Sequence, residues 1–154
     1  MSEPSGKRGK ISVAVQTLGD GVRAAVSRER MAAAGELVMR AEGAGAGLLS
    51  ITLLSKPRMA AFNRKHLGHA GATDVISFGF RDPAGAVIGD IYLCPAVAAE
   101  NARRFGVGVR EELLRLVVHG TLHVLGHDHP SGDRRTESPM WKRQERLLAR
   151  VMRA

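Results

Sequence analysis

The chain holds one cysteine, one tryptophan, one tyrosine and four phenylalanines in 154 residues. A lone cysteine, Cys94, excludes an internal disulfide framework and fits a reducing compartment. It reads as a small buried residue rather than a nucleophile. Aromatics make up 4% of the chain, which leaves little for a base-stacking platform of the kind found in RNA-recognition motifs. No run approaches the roughly 20 apolar residues of a membrane-spanning helix. The opening segment, "MSEPSGKRGK", lacks the apolar centre of a secretory signal. These absences predict a cytoplasmic protein that does not engage a membrane. Acidic residues are also scarce, 15 against 23 Lys and Arg, for a formal charge of +8 and a pI near 10.7. Such a surface favours a polyanionic partner, and nucleic acids are the commonest polyanions of the cytoplasm.

What is present reads as one globular unit. The hydrophobic fraction is 44% and the charged fraction 25%, and the length suits one core. Residues 1–10 are expected to be a disordered tail and residues 11–154 a single domain. "ISVAVQTL" alternates and reads as a strand. Ser27–Gly43 reads as a helix stopped by glycine. Gly47–Ser55 is a second strand, followed by a helix with Pro57 near its start and Gly68 at its end. "DVISFGF" and "VIGDIYLC" are two more strands, and the turn composition of "RDPAG" between them suggests a hairpin. Pro95–Gly106 and Val109–Gly126 read as helices, the second with Glu111 and Glu112 in its first turn, where the dipole favours acids. A last helix is expected from about Asp133 to Met152. The predicted class is α+β, a small mixed sheet of about four strands with helices packed on it.

The helix over 109–126 is apolar nearly all round from Leu113 onward, so it should be buried. Yet it carries His119 and His123, four apart and therefore on one face. Buried imidazoles need hydrogen-bond partners or a metal. Gly126 breaks the helix, and the following loop can bring His129 back to the same face. The pattern H-x3-H-x5-H places two ligands on a helix and one on a loop, with a coordination position left open. That is the zincin-like layout of a catalytic zinc site. Nickel and other transition metals also accept three imidazoles. Asp128, between the ligands, suits either orientation of a ligand imidazole or capping of its own loop. The zinc-protease motif needs a Glu directly after the first His; here that residue is Gly120, which disfavours a metallopeptidase. Thr73 and Asp74, before a strand, and Gly89 and Asp90, within one, read first as structural residues, with Gly89 marking a bulge or a close backbone approach.

"HGTLHVLGHDH" closely resembles the H-G-x-L-H-L-L-G-Y-D-H signature of the YbeY family. "FNRKHLGHAGATDVISF" is similar to that family's segment around L-N-x-x-Y-R and P-T-D-V-L-S-F. "IGDIYLC" resembles its L-G-D-I-x-I strand, and "PMWKRQERLL" its terminal helix. The resemblance implies a metal-dependent hydrolase domain: a single-strand-specific endoribonuclease that matures the 3′ end of small-subunit rRNA and serves ribosome quality control. The implied partners are single-stranded rRNA and the small ribosomal subunit. The implied cofactor is one zinc ion on His119, His123 and His129, lowering the pKa of a water and polarising a phosphoryl oxygen. Three positions depart from the pattern. His127 stands for Tyr, Ala72 for Pro, and Leu67 for an Arg suited to hold phosphate. Arg64 and Lys65 are the nearest substitutes for that charge. Arg64, three positions before Leu67, shares its face and is the expected catalytic cation, with Asp128 the expected proton-handling group. The rival functions are a metallopeptidase-like hydrolase and a non-catalytic ribosome-binding factor with a structural metal.

Overall fold

The computed structural model describes residues 9–19, 21–129 and 135–154. The expected tail over 1–10 therefore falls almost wholly outside the described residues, as does the expected helix start at Asp133. Four strands, β1 (Ile11–Leu18), β2 (Gly47–Leu54), β3 (Val75–Arg81) and β4 (Val87–Leu93), form one sheet in the order β1-β2-β4-β3. β1, β2 and β4 run parallel, and β3 is antiparallel to β4. The mixed sheet and the hairpin are those that the alternation and turn composition suggest. Asp82 closes the hairpin by accepting the N–H groups of Ala84 and Ala86, both at 2.9 Å.

The helices are α1 (Arg28–Ala41), α2 (Lys56–Leu67), α3 (Pro95–Phe105), α4 (Val109–Val124) and α5 (Pro139–Arg153). Ser27, Ser55 and Ser138 cap α1, α2 and α5, each hydroxyl accepting a first-turn N–H and satisfying a donor that the helix leaves unpaired. α5 starts later than its sequence pattern suggests because Ser138 and Pro139 make a stronger start than the polar residues before them. Among the described residues no helix is long and apolar enough to cross a membrane.

α4 is the centre of the molecule. Leu113, Val117, Val118 and Leu122 are fully buried, and the helix packs on β3, β4, α1, α3 and α5. It lies close to the sheet because β3 and β4 offer it glycines. A Cβ on Gly89 would sit 2.3 Å from Val124 Cγ1, and one on Gly79 would sit 2.6 Å from the Val124 carbonyl oxygen. Both distances are impossible for a side chain, so only glycine lets the last turn of α4 reach the sheet. Of the two readings of a glycine within a strand, bulge or close approach, Gly89 is the close approach.

Candidate metal centre

α4 ends one residue past His123. Gly126 adopts φ 99°, a conformation glycine takes without steric cost, and reverses the chain. The N–H of His127 bonds back to the Leu122 carbonyl (3.0 Å) and that of Gly126 to His123 (2.9 Å), a Schellman-type closure. The reversal returns His129 to the face that carries His119 and His123. One ligand atom from each of the three imidazoles lies within 4.8 Å of the others. Ring centroids are 4.6, 5.0 and 5.2 Å apart. The Nε2 atoms of His119 and His123 approach to 3.1 Å. Tetrahedral coordination at Zn–N distances of about 2.0–2.1 Å separates its nitrogens by about 3.3–3.4 Å, so the spacing of this pair fits a shared metal.

The protonation of His119 is fixed from behind. Its Nδ1 lies 2.6 Å from Gln144 Oε1. Gln144 Nε2 donates to Glu145 Oε2 at 3.2 Å, and a carboxylate only accepts. The amide orientation is therefore determined, and Oε1 must face His119. His119 donates its Nδ1 proton to that oxygen, so that in the neutral imidazole Nε2 is the lone pair facing His123. Glu145 is held in turn by Arg115, which also pairs with Glu112 (2.8 Å) and Glu111 (3.3 Å). With three carboxylates around it, the half-buried guanidinium stays cationic. The chain Arg115–Glu145–Gln144–His119 thus runs from a fixed charge to a fixed tautomer. Burial, and next the neighbouring His129, push the His123 imidazole toward its neutral form against an opposing hydrogen bond to the His127 backbone. The neutral form is the one that ligates. Three converging, partly buried imidazoles are a donor set that fits a borderline transition metal.

The loop that carries His129 is tied down at its start. His127 Nε2 lies 2.8 Å from Glu42 Oε1, and Arg143 holds Glu42 Oε2 at 2.8 Å. Glu42 caps α1 and is held by Arg143 of α5, so His127 places the start of the loop against these two helices, although Glu42 Oε1 accepts no hydrogen bond from it. Asp128 Oδ1 accepts the His129 backbone N–H at 2.9 Å, which is the loop-capping role. The imidazole-orienting role that Asp128 also suited is filled, for His119, by Gln144. Sequence reasoning missed Gln144 because it lies 25 positions from its partner and a glutamine on a helix carries no metal signature.

The cluster forms one wall of an open cavity of about 700 Å³. Facing it are Asn63, Leu67 and His69 from the end of α2 and its loop, and Thr73, Asp74 and Phe78 from the entry and outer part of β3. Leu67 is 43% exposed. Arg64 is exposed in the last turn of α2 and is not among the described residues lining the cavity. Asp74 accepts the Val75 N–H at 2.8 Å and the Asn101 amide at 3.1 Å, tying the start of β3 to α3. Cys94 is fully buried, and burial pushes its thiol up, as suits a packing residue.

The family model described as Endoribonuclease YbeY matches residues 12–152. A protein named Endoribonuclease YbeY from Beutenbergia cavernae is 43% identical over 109 residues, covering 65% of this chain and 71% of its own. A protein of the same name from Chlorobaculum tepidum is 36% identical over 115 residues, covering 75% of this chain and 82% of its own. A solution structure from Thermotoga maritima is 27% identical with a TM-score of 0.60, covering 90% of this chain and 88% of that one. With a family model spanning nearly the whole fold and the signature histidines gathered at one cavity wall, the chain belongs to the YbeY family.

Proposed function

We propose that this protein is a metal-dependent endoribonuclease that cleaves single-stranded RNA, acting in the maturation of the small-subunit rRNA 3′ end in the cytoplasm. The observation that carries the reading is the convergence of His119, His123 and His129 on an open cavity, in a chain whose relatives are named endoribonucleases. Zinc is the metal we assign, since three imidazole nitrogen donors with an open side make the usual catalytic zinc set. A metal there would supply Lewis acidity and activation of a water. The chain's own groups do the rest. Gln144 keeps His119 in the ligating tautomer. His127 and Asp128 hold the His129 loop. Asp128, exposed at the cavity rim, is the proton-handling group we propose. Arg64 is the cation we assign to the scissile phosphate, because it shares a helix face with Leu67. The excess of basic residues serves the remaining phosphates and the small ribosomal subunit.

The peptidase alternative loses further ground. Position 120 packs into the core, where a Cβ would meet Ile91 side-chain carbons at 3.0–3.3 Å, so a carboxylate there would not face the cavity. The test is cleavage of matched RNA and DNA oligomers, single-stranded and duplex, with and without a chelator. Cleavage confined to single-stranded RNA and abolished by chelation supports the reading. Equal cleavage of RNA and DNA, or full activity after the metal is stripped, overturns it.

A further inference from the structure

The scarce aromatics are not scattered. Three of the four phenylalanines and the one tyrosine meet on the outer face of the sheet, away from α4. Phe62 of α2 stacks 4.2 Å from Tyr92, and Phe78 lies 6.3 Å from both. Phe80 follows two residues along β3 on the same face. These last two rings are open to solvent, Phe78 at 41% and Phe80 at 64% exposure. Packing does not account for them: Gly79 between them turns to the opposite face, under Val124, and α2 covers only the other end of the outer face, at Ile76 and Cys94. Phe78 also lines the cavity that holds the three histidines. The exposed rings therefore begin at the candidate metal centre and lead away from it along an edge strand.

The spacing selects a ligand. Residues two apart on a strand are about 6.6–6.8 Å apart, roughly twice the 3.4 Å rise of stacked duplex bases. Bases stacked in a duplex cannot place one base on each ring, whereas an extended single strand can. Aromatic pairs on a sheet face are how sheet-based readers hold unpaired bases. Cations lie near the row: Arg64 and Lys65 close α2 beside Phe62, and Arg81 ends the same edge strand one residue past Phe80, exposed on the side opposite the rings. Asp90, paired with Phe78 across the hairpin, opposes phosphate on the inner side of the row, which sets the backbone on the free edge of β3.

We propose that Phe78 and Phe80 form a stacking track for two unpaired bases of an RNA strand whose neighbouring phosphate lies at the histidine cluster. The proposal rests on the reading of the cluster as an RNA-hydrolysing centre and adds the surface that makes it select single strands. The test is binding of a labelled, unstructured oligoribonucleotide to the parent, Phe80→Ala, Phe80→Trp and Arg81→Ala, with chelator present to prevent cleavage. Melting temperature and metal content before chelation serve as controls, because Phe80 is mostly exposed. A stacked base is worth about 1–3 kcal/mol, so Phe80→Ala should weaken binding by about tenfold or more. Phe80→Trp should bind like the parent. A lost stack releases no counterions, so the salt dependence of Phe80→Ala should match the parent's. Arg81→Ala should reduce that slope by about 0.7, the value for one phosphate contact on a single strand.

Affinity of Phe80→Ala within about twofold of the parent overturns the track. So does a Phe80→Ala that changes only the sedimentation mass, since the face is then a contact between protein chains. The two readings fail separately. If the parent cleaves RNA and Phe80→Ala binds like it, the track falls and the hydrolase stands. If Phe80→Ala loses affinity but the parent never cleaves, the track stands and the hydrolase falls.

Discussion

On the inner face of the sheet, Leu49, Ile51, Leu53, Ile91 and Leu93 are at most 2% exposed beneath the helices. On the outer face, Leu48 of β2 and Phe78 and Phe80 of β3 are 41–64% exposed. The alternation of a strand makes both faces from one backbone, yet they are used differently. The inner face supplies rigidity: two glycines bring α4 onto it, and α4 carries two of the three histidines. The outer face supplies reach, because side chains left open to solvent are free to meet a large, variable ligand. A hydrolase that must hold a metal to within fractions of an ångström while accepting a flexible strand needs both. The cavity lies where the two meet, between the end of α4 and the middle of β3.

The sharpest break in this division is on the inner side. His123→Ala removes one ligand and leaves His119 and His129 without a complete set. Metal content, measured by elemental analysis on protein prepared without chelator, should fall from about one per chain to near zero, and RNA cleavage should vanish with it. Full metal content in this variant would refute the ligand assignment.

One step further from the metal, Gln144→Leu removes the acceptor that fixes the His119 tautomer. Loss of such an outer partner costs about 10–100-fold in metal affinity, read by competition with a chromophoric chelator. Nitrogen NMR of the metal-free protein gives a second readout. The parent should show the Nδ1–H tautomer of His119, and Gln144→Leu a mixture. Gln144→Glu, which keeps an acceptor in place, should lose less affinity. An unchanged tautomer and affinity in Gln144→Leu would reduce the chain from Arg115 to a packing feature.

The sheet itself is tested by Gly89→Ala. The added methyl collides with Val124, next to His123, and overpacking of this kind costs about 1–3 kcal/mol. Thermal unfolding should show it, at about 2–4 °C per kcal/mol for a domain of this size. The same methyl lifts the turn that positions His123, so metal affinity should fall as well. A stable Gly89→Ala with intact metal binding would mean that α4 does not depend on the close approach.

Much of this was legible in local pattern. β1 has the bounds its alternation suggests, and the glycines after α2, α3 and α4 end those helices. His119, His123 and His129 could be grouped because two sit on one helix and the third lies within a short loop, so chain distance limits their separation. What could not be read depends on tertiary contact. The placement of β4 beside β2, with β3 pushed to the edge, has no local signature. Gln144 meets His119 across 25 positions, and Arg115 meets Glu145 across 30. The low aromatic content was a sound reason to expect no stacking platform from composition, but composition says nothing about where the few rings gather. Arg64 was chosen from helix periodicity, and periodicity gives a face without saying how far an exposed side chain extends.

That last point makes Arg64 the finest test of the boundary between the two faces. The family pattern places an Arg where this chain has Leu67, at the rim of the cavity. If Arg64 has taken over the charge, it does so from the same face one turn earlier, by reaching past an apolar side chain. Arg64→Ala should then lower RNA cleavage about tenfold or more, a transition-state loss of at least ~1.4 kcal/mol, with metal content unchanged. Lys65→Ala, pointing about half a turn away, should do less. The decisive variant is Leu67→Arg in the Arg64→Ala background. Leu67 is exposed enough to accept the change, and a guanidinium at the rim should recover the lost activity and increase the salt dependence of RNA binding by about 0.7 in slope. If Arg64→Ala cleaves like the parent and Leu67→Arg adds nothing, the charge that meets the phosphate does not come from α2. It must then come from outside that helix, and the outer face would contribute grip on the strand while leaving the chemistry entirely to the inner one.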